Sequence, residues 1–280
     1  MKVNLVDGTF ELFRCHHGAP RAQVDGREVG AVRGLVATLA SLLRRDDVTH
    51  VAVAFDAMAP PRGALGGGDA EVIRSQALLA FEAVRALGVM LWPMTRYQAD
   101  DALASGAAQL RDVAEVVICT SDKDLLQCVR GDRVVVWNRI RKEVRDEAEV
   151  RSKFGVAPQQ IPDLFALVGD PSDGLPGVPG WGWTSAAKVL AEYGAIEQIP
   201  LDERAWTVTV RGAKRLVETL RERRVEALLG RDLSRLREDL PVPASPAQLE
   251  WRGVRQPALD ELLARLGDPN LAEWVPDRLG

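Results

Sequence analysis

Short apolar segments that end in an aspartate alternate, over the first half of this chain, with stretches of helical periodicity. The segments are residues 2–6, 48–55 and 113–120, and the aspartates that follow them are Asp7, Asp56 and Asp122. Residues 29–45 and 69–87 carry apolar side chains at helical spacing between these segments. Such β-α alternation predicts an α/β fold with a mostly parallel sheet and helices on both of its faces.

Aspartates that follow parallel strands are expected to lie at one edge of the sheet, where ligands of open α/β sheets bind. Asp100 and Asp101 open a predicted helix, and Asp170 and Asp173 flank a turn. A single aspartate after a strand is more often a cap or a turn former than a ligand, so the repetition carries the prediction. Two carboxylates about 4 Å apart repel by roughly 4 kcal/mol at a surface-like dielectric, and divalent cations remove that repulsion. Oxygen ligands favour Mg²⁺ or Mn²⁺ over Zn²⁺.

The second half of the chain has a different character. After residue 150 no apolar run of comparable strand character follows, and helices are predicted from there on. The segment GLPGVPGWGWTSAA, residues 174–187, predicts tight turns and then a helix that Thr184 or Ser185 caps and Gly194 ends. We therefore predict an α/β domain over residues 1–152, a helical region over 153–250 and a helical C-terminal tail over 251–280 that packs on the rest.

Composition sets broad limits on the class of protein. The chain has 280 residues, 46% of them hydrophobic, and a formal net charge of -4, so it has no global basic field. Three cysteines without a CxxC motif fit a reducing compartment and no zinc site. No run approaches about 18 uninterrupted apolar residues, and no apolar stretch follows the N-terminal lysine. The expected location is the cytoplasm, with no membrane partner.

Several motifs, taken in order over residues 2–250, resemble one known family. They are LVDGTFELFR, VAVAFDA, ADDALAS, TSDKDLLQCV, LVGDPSDGLPGVPGWG and VRGAKRL. They resemble the 5′ to 3′ exonucleases, the family of the N-terminal domain of bacterial DNA polymerase I and of the flap endonucleases. The resemblance implies a PIN-like, resolvase-like α/β nuclease domain followed by a helix-hairpin-helix region, here as a stand-alone protein. It also implies structure-specific hydrolysis of DNA in replication and repair.

The resemblance implies a two-metal site with Mg²⁺ or Mn²⁺. The matching ligand positions are Asp7, Asp56, Gln98, Asp100, Asp101, Asp122, Asp124, Asp170 and Asp173. Among these, the catalytic positions are Asp7, Asp56, Asp101 and Asp122. The implied partner is DNA with 5′ ends, nicks or flaps, bound by a monomer.

Duplex DNA is expected to bind at the PGWG turn, whose amides and following helix offer donors to phosphate. The implied DNA-binding positions are Lys123, Gly180, Gly182, Thr184, Ser185, Arg211, Lys214 and Arg215. The resemblance also implies a potassium ion at the hairpin carbonyls. Lys123, between two predicted ligands, contacts phosphate or offsets carboxylate charge. The run Arg221, Arg223 and Arg224 is interpreted as a solvated helix face.

Three positions depart from the family pattern. Gln98 replaces a glutamate of the metal site, and Thr184 replaces a lysine of the hairpin helix. The segment after Asp56 is shorter and Gly-rich, and it retains only Arg62 and Arg74 where the family has a basic arch. These departures predict weaker metal binding and a less stabilised transition state. They leave open a relative that binds branched DNA with little or no cleavage.

Two other enzyme classes share an acidic sheet edge. An aspartyl phosphatase usually has a second aspartate two residues after the first, whereas position 9 is Thr9. A PIN-like ribonuclease of the toxin kind would not need residues 150–280. Elsewhere, His16 and His17 are predicted in an exposed loop after the first strand. Trp181 and Trp183 either stack on a sugar or base, or pack the hairpin.

Overall fold

The computed structural model describes residues 1–57 and 68–276, without the side chains of residues 68–70. The Gly-rich segment with Arg62, predicted in place of the basic arch, lies largely outside the described residues. The chain forms two compact units, neither of which is a continuous length of sequence. Unit 1 comprises residues 1–121, 137–141 and 237–280, and unit 2 comprises residues 122–136 and 142–236.

Four parallel strands form the sheet of unit 1. The strands of the described chain are β1 (Lys2–Asp7), β2 (Gln23–Val24), β3 (Arg27–Glu28), β4 (His50–Asp56), β5 (Met90–Met94), β6 (Glu115–Cys119), β7 (Val134–Asn138) and β8 (Glu143–Arg145). Strand β1 pairs with β4 on one side and with β6 on the other, and β4 pairs with β5. Strands β2 and β3 form a separate antiparallel hairpin. The predicted parallel sheet is confirmed.

Helices cover both faces of this sheet. The helices of the described chain are α1 (Gly8–Gly18), α2 (Gly30–Leu43), α3 (Gly68–Ala86), α4 (Ala99–Leu110), α5 (Glu147–Phe154), α6 (Ile161–Val168), α7 (Trp183–Tyr193), α8 (Ala213–Ser234), α9 (Pro246–Leu249) and α10 (Gln256–Leu266). Helix α4 packs on the face that carries Leu5 and Trp92, which its Gly106 approaches closely. Helices α1, α2 and α3 share a core with Val6, on the opposite face of β1.

The core of unit 1 includes residues from near the end of the chain. Trp251, Leu259, Leu262 and Leu266 are buried with the leucines of α2 and the apolar residues of α3. The indole Nε1 of Trp251 also donates to the carbonyl of Leu87 at 2.7 Å. Residues 237–280 therefore complete the unit that begins with β1. No helix in the described part of the chain is long and apolar enough to cross a bilayer.

Unit 2 is built mainly from helices. Helix α6 packs against α7 and α8, and buried Asp163 accepts a hydrogen bond of 3.0 Å from the backbone N–H of Ile196. The guanidinium of Arg231 lies 3.9 Å from the same carboxylate and also pairs with Glu197. Non-helical torsions at Arg223 place a kink within α8. The predicted helical character after residue 150 is confirmed.

Some local predictions were wrong. The exposed loop predicted after the first strand is instead helix α1, so His16 and His17 lie on a helix, and His16 is buried. The N-cap of α7 is Gly182, not Thr184 or Ser185. Gly194 ends α7 as predicted.

Candidate metal centre and nucleic-acid interface

Asp7 occupies the carboxyl end of the central strand β1 and is almost completely buried. Its Oδ1 accepts the backbone N–H of Phe10 at 2.9 Å and so caps helix α1. Its Oδ2 accepts the hydroxyl of Thr120 at 2.9 Å, from the residue just after β6. Both oxygens of Asp7 are therefore held in place by hydrogen-bond donors.

Asp56 ends β4, the strand next to β1, as the pattern of the sequence predicted. Its Oδ1 accepts the backbone N–H of Ala99, the first residue of α4, at 2.8 Å. Its own N–H donates to the hydroxyl of Thr9 at 2.8 Å. Because β1 and β4 are parallel neighbours, Asp7 and Asp56 lie at the same edge of the sheet.

Three of the predicted ligands lie at the start of α4. Gln98 stands at the N-cap, and Asp100 and Asp101 follow in the first turn. The carboxylate of Asp101 accepts two backbone N–H groups, that of Gln98 at 3.2 Å and that of Arg237 at 3.0 Å. Asp101 is thus fixed in position within unit 1 and keeps lone pairs on both oxygens.

Unit 2 carries the other four predicted aspartates. The backbone N–H of Asp124 donates to Oδ1 of Asp122 at 2.8 Å. Oδ1 of Asp170 accepts the backbone N–H of Ser172 at 3.1 Å and also its hydroxyl, while Oδ2 of Asp170 pairs with the ammonium of Lys123. Asp173 follows in the same 3₁₀ turn. These contacts bring the TSDKD and GDPSD motifs together within the unit.

Among the four aspartates of unit 2, the ionised form of Asp124 is electrostatically unfavourable. Burial, and then the charges of Asp122, Asp173 and Asp170, raise the pKa of Asp124 to about 8, and Lys123 only partly opposes this. The pKa of Asp170 is lowered, because burial is outweighed by its hydrogen bonds with Lys123 and Ser172. A carboxyl group that resists ionisation among three others is a place where added positive charge stabilises the protein.

The donor set fits a hard divalent cation. Within the described residues, no group of three or more histidine, cysteine, aspartate or glutamate side chains is arranged to hold a metal ion as it stands. Magnesium does not demand such a cage, because it usually retains several waters and binds through one or two carboxylates together with substrate phosphates. Carboxylate oxygens that are already fixed by hydrogen bonds, as in Asp7 and Asp101, suit that mode of binding.

The predicted hairpin is a turn between α6 and α7. Gly180 has a φ of +88°, a conformation that favours glycine, and it is exposed. Trp181 is buried, and its Nε1 donates to the carbonyl of Leu216 at 3.1 Å, so this tryptophan packs the hairpin. The N–H of Gly182 donates to the hydroxyl of Ser185 at 3.3 Å at the start of α7. The exposed turn and the start of α7 thus form a surface that presents backbone groups next to a buried tryptophan.

Basic residues lie near the start of α8. Arg211, Lys214 and Arg215 are exposed there, which suits contact with a polyanion. Arg221 and Arg224 instead donate to the backbone carbonyls of Leu201 and Glu197. Arg223 pairs with Glu226 at 3.2 Å. These three arginines therefore have partners within unit 2, which agrees with the interpretation of a helix face without a dedicated ligand.

Models of one protein family match two consecutive segments of the chain. The 5′-3′ exonuclease N-terminal resolvase-like domain matches residues 69–155, and the 5′-3′ exonuclease C-terminal SAM fold matches residues 156–257. Together these segments cover more than half of the chain.

The chain belongs to the 5′-3′ exonuclease family.

Members of this family are hydrolases that act on DNA phosphodiester bonds, and they depend on metal ions. The predicted resemblance is therefore confirmed.

Curated relatives extend the family match over almost the entire chain. DNA polymerase I of Bacillus caldotenax is 32% identical over 290 residues, which cover 97% of this chain and 32% of that protein. DNA polymerase I of Mycobacterium tuberculosis is 33% identical over 308 residues, covering 99% of this chain and 33% of that protein. The chain thus spans about a third of the length of these relatives.

Solved structures of nucleases share the fold of this exonuclease family member. A bacteriophage T5 5′-exonuclease with bound zinc has a TM-score of 0.61 at 15% identity, covering 98% of this chain and 97% of that one. The catalytic core of Rad2 in complex with DNA substrate has a TM-score of 0.60 at 19% identity, covering 96% and 86%. Human GEN1 in complex with Holliday junction DNA has a TM-score of 0.61 at 16% identity, covering 98% and 70%.

The sequence analysis of this exonuclease family member did not predict that hydroxyl side chains form hydrogen bonds with the aspartates. Thr120 and Ser172 donate to predicted ligands, and Thr9 accepts from the backbone of another. Each hydroxyl lies within two residues of a predicted aspartate in the sequence, which was the available signal. Phe165, beneath the ammonium of Lys123, had no such signal.

Proposed function

We propose that this chain is a 5′ to 3′ exonuclease and structure-specific flap endonuclease that hydrolyses DNA with two Mg²⁺ or Mn²⁺ ions. The observation that carries the proposal is the group of four aspartates in unit 2. There, Asp124 has a pKa raised to about 8 by burial and by its carboxylate neighbours, so a divalent ion would relieve the repulsion. The carboxylates that close β1 and β4 in unit 1 support the same chemistry.

Each predicted ligand has a definite part in this proposal. Asp7, Asp56 and Asp101 would bind metal in unit 1, with Asp100 and Gln98 beside them in the first turn of α4. Asp122 and Asp124 would do so in unit 2 with Asp170 and Asp173. Divalent ions held by these carboxylates would supply Lewis-acid activation of a water and charge stabilisation of the leaving oxygen. The protein's own contribution is to hold these carboxylates in fixed orientations through Phe10, Thr120, Ala99 and Ser172.

We propose that the duplex part of the substrate binds at the hairpin and at the start of α8. Backbone amides near Gly180 and Gly182, with Thr184 and Ser185, would contact phosphate without reading sequence. Arg211, Lys214 and Arg215 would add cations. A potassium ion at the hairpin carbonyls would support the grip, so replacing K⁺ by tetramethylammonium should weaken duplex binding. The Holliday junction complex of human GEN1, which shares the fold, supports branched DNA as the class of substrate.

The test is cleavage of a 5′-flap duplex labelled at either end, with Mg²⁺, Mn²⁺ or EDTA. We expect wild type to release short products from the 5′ end only when a divalent ion is present. The cleavage rate of Asp122→Asn should be at least about 100-fold lower, because the substitution removes a catalytic metal ligand. The matched control is Asp260→Asn, an exposed aspartate of α10, which should leave the rate unchanged. No product with wild type at high concentration, or full activity of Asp122→Asn, would exclude the proposal.

Parallel substrates separate the alternative enzyme classes. Single-stranded RNA is the substrate expected of a PIN-like ribonuclease, and a small phosphomonoester is the one expected of an aspartyl phosphatase. Faster hydrolysis of either of these substrates than of 5′-flap DNA would contradict the present proposal and favour the corresponding enzyme class.

A second candidate function is binding of DNA junctions without cleavage. It is favoured by Gln98, which puts a neutral amide beside Asp100 and Asp101 in the first turn of α4. This candidate predicts salt-sensitive binding of branched DNA and no products under any metal condition. Wild-type cleavage would exclude it.

We also propose a monomer in the cytoplasm. The sequence has three cysteines and no CxxC motif, and all three are buried, which fits a reducing compartment. Sedimentation with and without DNA tests the oligomeric state.

A further inference from the structure

Lys123 lies between two predicted metal ligands, yet its ammonium pairs with a third. It directly follows Asp122, and its Nζ pairs with Oδ2 of Asp170, more than forty residues later in the sequence. The side chain of Lys123 is 46% exposed, whereas that of Asp170 is 4% exposed. A half-exposed cation thus neutralises a buried carboxylate that Ser172 also holds in place.

The two oxygens of Asp170 have different partners. Oδ1 accepts the backbone N–H and the hydroxyl of Ser172, which are local and hold the carboxylate in its turn. Oδ2 receives the ammonium of Lys123. Any cation that approaches Asp170 through Oδ2 therefore competes with Lys123 for the same oxygen.

Lys123 has a second contact that does not depend on Asp170. Its Nζ lies 5.2 Å from the ring centroid of Phe165, a cation–π distance. Phe165 in turn contacts the half-exposed Trp183 edge to face, with centroids 6.0 Å apart. The long flexible stem of lysine allows the ammonium to leave Asp170 and remain over this aromatic surface.

We propose that Lys123 is an exchangeable counter-ion of the metal centre, a role that rests on the proposed function. In the metal-free protein its ammonium neutralises Asp170. When a divalent ion binds at Asp170, that ion displaces the ammonium from Oδ2. Lys123 is a positioning residue of the site, and it sets how much divalent ion is needed to load the centre.

Metal affinity without DNA is the first measurement. We compare Mn²⁺ binding, by calorimetry, for wild type, Lys123→Met and Lys123→Arg. Methionine keeps an apolar stem on Phe165 but removes the charge, so affinity should increase about threefold to tenfold, as the competing ion pair is partly exposed. Arginine keeps the charge and should bind Mn²⁺ within about twofold of wild type. Unchanged or weaker binding by Lys123→Met overturns the proposal.

The second measurement follows Lys123 directly in the wild-type protein. Reductive ¹³C-methylation labels all six lysines of the chain and keeps their charge, and the Lys123→Met spectrum assigns the signal. Addition of Mg²⁺ should shift the Lys123 signal over the concentration range in which the metal binds. Lys2, which pairs with Asp47 in unit 1, is the control and should not shift. A Lys123 signal that stays fixed at saturating Mg²⁺ overturns the proposal.

Wild-type data separate this inference from the proposed function. If wild type neither binds Mn²⁺ nor cleaves 5′-flap DNA, the proposed function is wrong, and Lys123 has no metal to exchange with. If wild type binds and cleaves but the two lysine measurements fail, only the counter-ion role is wrong. If Lys123→Met does not fold, Lys123→Gln and the methyl signal replace it.

Discussion

The backbone N–H of Arg237 donates a hydrogen bond of 3.0 Å to Oδ1 of Asp101, 136 positions earlier in the chain. The other oxygen of Asp101 accepts the N–H of Gln98. A residue predicted as a metal ligand therefore also attaches the segment after unit 2 to helix α4 of unit 1. Its substitution should reduce both stability and catalysis, and the two effects have to be measured separately.

The structural part of this role is tested by Asp101→Asn in EDTA. An amide can accept only one of the two backbone hydrogen bonds, and its NH₂ group would face the other N–H. We expect a loss of about 1 to 3 kcal/mol in the free energy of unfolding, the cost of an unsatisfied polar group. Urea denaturation measures it, with Asp260→Asn as the control. Equal stability of the two variants would mean that these hydrogen bonds contribute nothing.

Restoring an acid at position 98 should strengthen metal binding. Gln98→Glu adds one negative charge beside Asp100 and Asp101, and we expect Mn²⁺ affinity to increase about tenfold, as for one charge acting over several ångströms in a screened site. Calorimetry without DNA measures this effect. Gln256→Glu in exposed α10 adds the same net charge elsewhere and should change the affinity little. A similar gain in both variants would point to net charge rather than to the site.

The raised pKa of Asp124 predicts how the stability of the metal-free protein depends on pH. A carboxyl group whose folded pKa is about 8 binds a proton more tightly folded than unfolded, where the pKa is 3.8. Its contribution to stability therefore falls as pH increases from about 4 to about 8. In EDTA at pH 8, Asp124→Asn should be more stable than wild type, and this difference should disappear near pH 4. Urea denaturation across pH measures it, and a constant difference would contradict the assignment.

Phosphate contacts near the start of α8 should appear in the salt dependence of DNA binding. Lys214→Gln should weaken duplex binding and reduce the slope of log affinity against log salt by about 1, as for loss of one phosphate contact. Fluorescence anisotropy in Ca²⁺ at several salt concentrations measures both quantities. The control is Arg252→Gln, an exposed cation of unit 1 that pairs with Glu250 at 3.0 Å. An unchanged slope for Lys214→Gln would remove this residue from the interface.

A buried carboxylate in α1 attaches residues 137–141 to unit 1. The carboxylate of Glu11 accepts a hydrogen bond of 2.9 Å from Nε of Arg14. Nη1 of Arg139 lies 3.5 Å from Oε1 of Glu11, which is an ion-pair distance without hydrogen-bond geometry. The side chain of Glu11 is only 3% exposed. Glu11→Gln should therefore lower the free energy of unfolding by about 2 to 4 kcal/mol, because two guanidinium groups lose their charge partner.

The control for this change is Glu82→Gln, whose partner Arg265 and whose own carboxylate are both about half exposed. For Glu82→Gln, the free energy of unfolding should decrease by less than about 1 kcal/mol. Urea denaturation of the two variants at pH 7 gives the comparison. Similar losses would show that burial of Glu11 does not strengthen its ion pairs.

The strand-end aspartates were predictable because their signal is local. Each apolar segment has the length of a buried strand, and Asp7 and Asp56 follow directly. Family motifs then connected them with Asp170 and Asp173, far away in the sequence. In contrast, the hydrogen bond between Asp101 and Arg237 depends on tertiary structure, and no periodicity or spacing indicates it.

Helix α1 shows why local patterns mislead. Gly8 after Asp7 has the composition of a turn, and buried polar residues such as Glu11 and His16 interrupt the apolar periodicity. In the structure, Gly8 and Asp7 both have roles at the start of α1 that differ from turn formation. A Cβ at position 8 would lie 2.5 Å from the ring of Phe55, so glycine permits close packing of the helix on β4. Asp7 caps α1 rather than a turn.

The discontinuous composition of unit 1 has a consequence for biosynthesis. Trp251 and the leucines of α10 belong to the same core as α2 and α3, so that core is incomplete until α10 has been translated. All residues of unit 2 precede position 237. Since domains generally fold as units during synthesis, unit 2 can complete its fold on the ribosome while unit 1 still lacks α10. The unit that contains β1 is therefore completed after unit 2, and apolar residues of α2 and α3 lack their α10 neighbours during that interval.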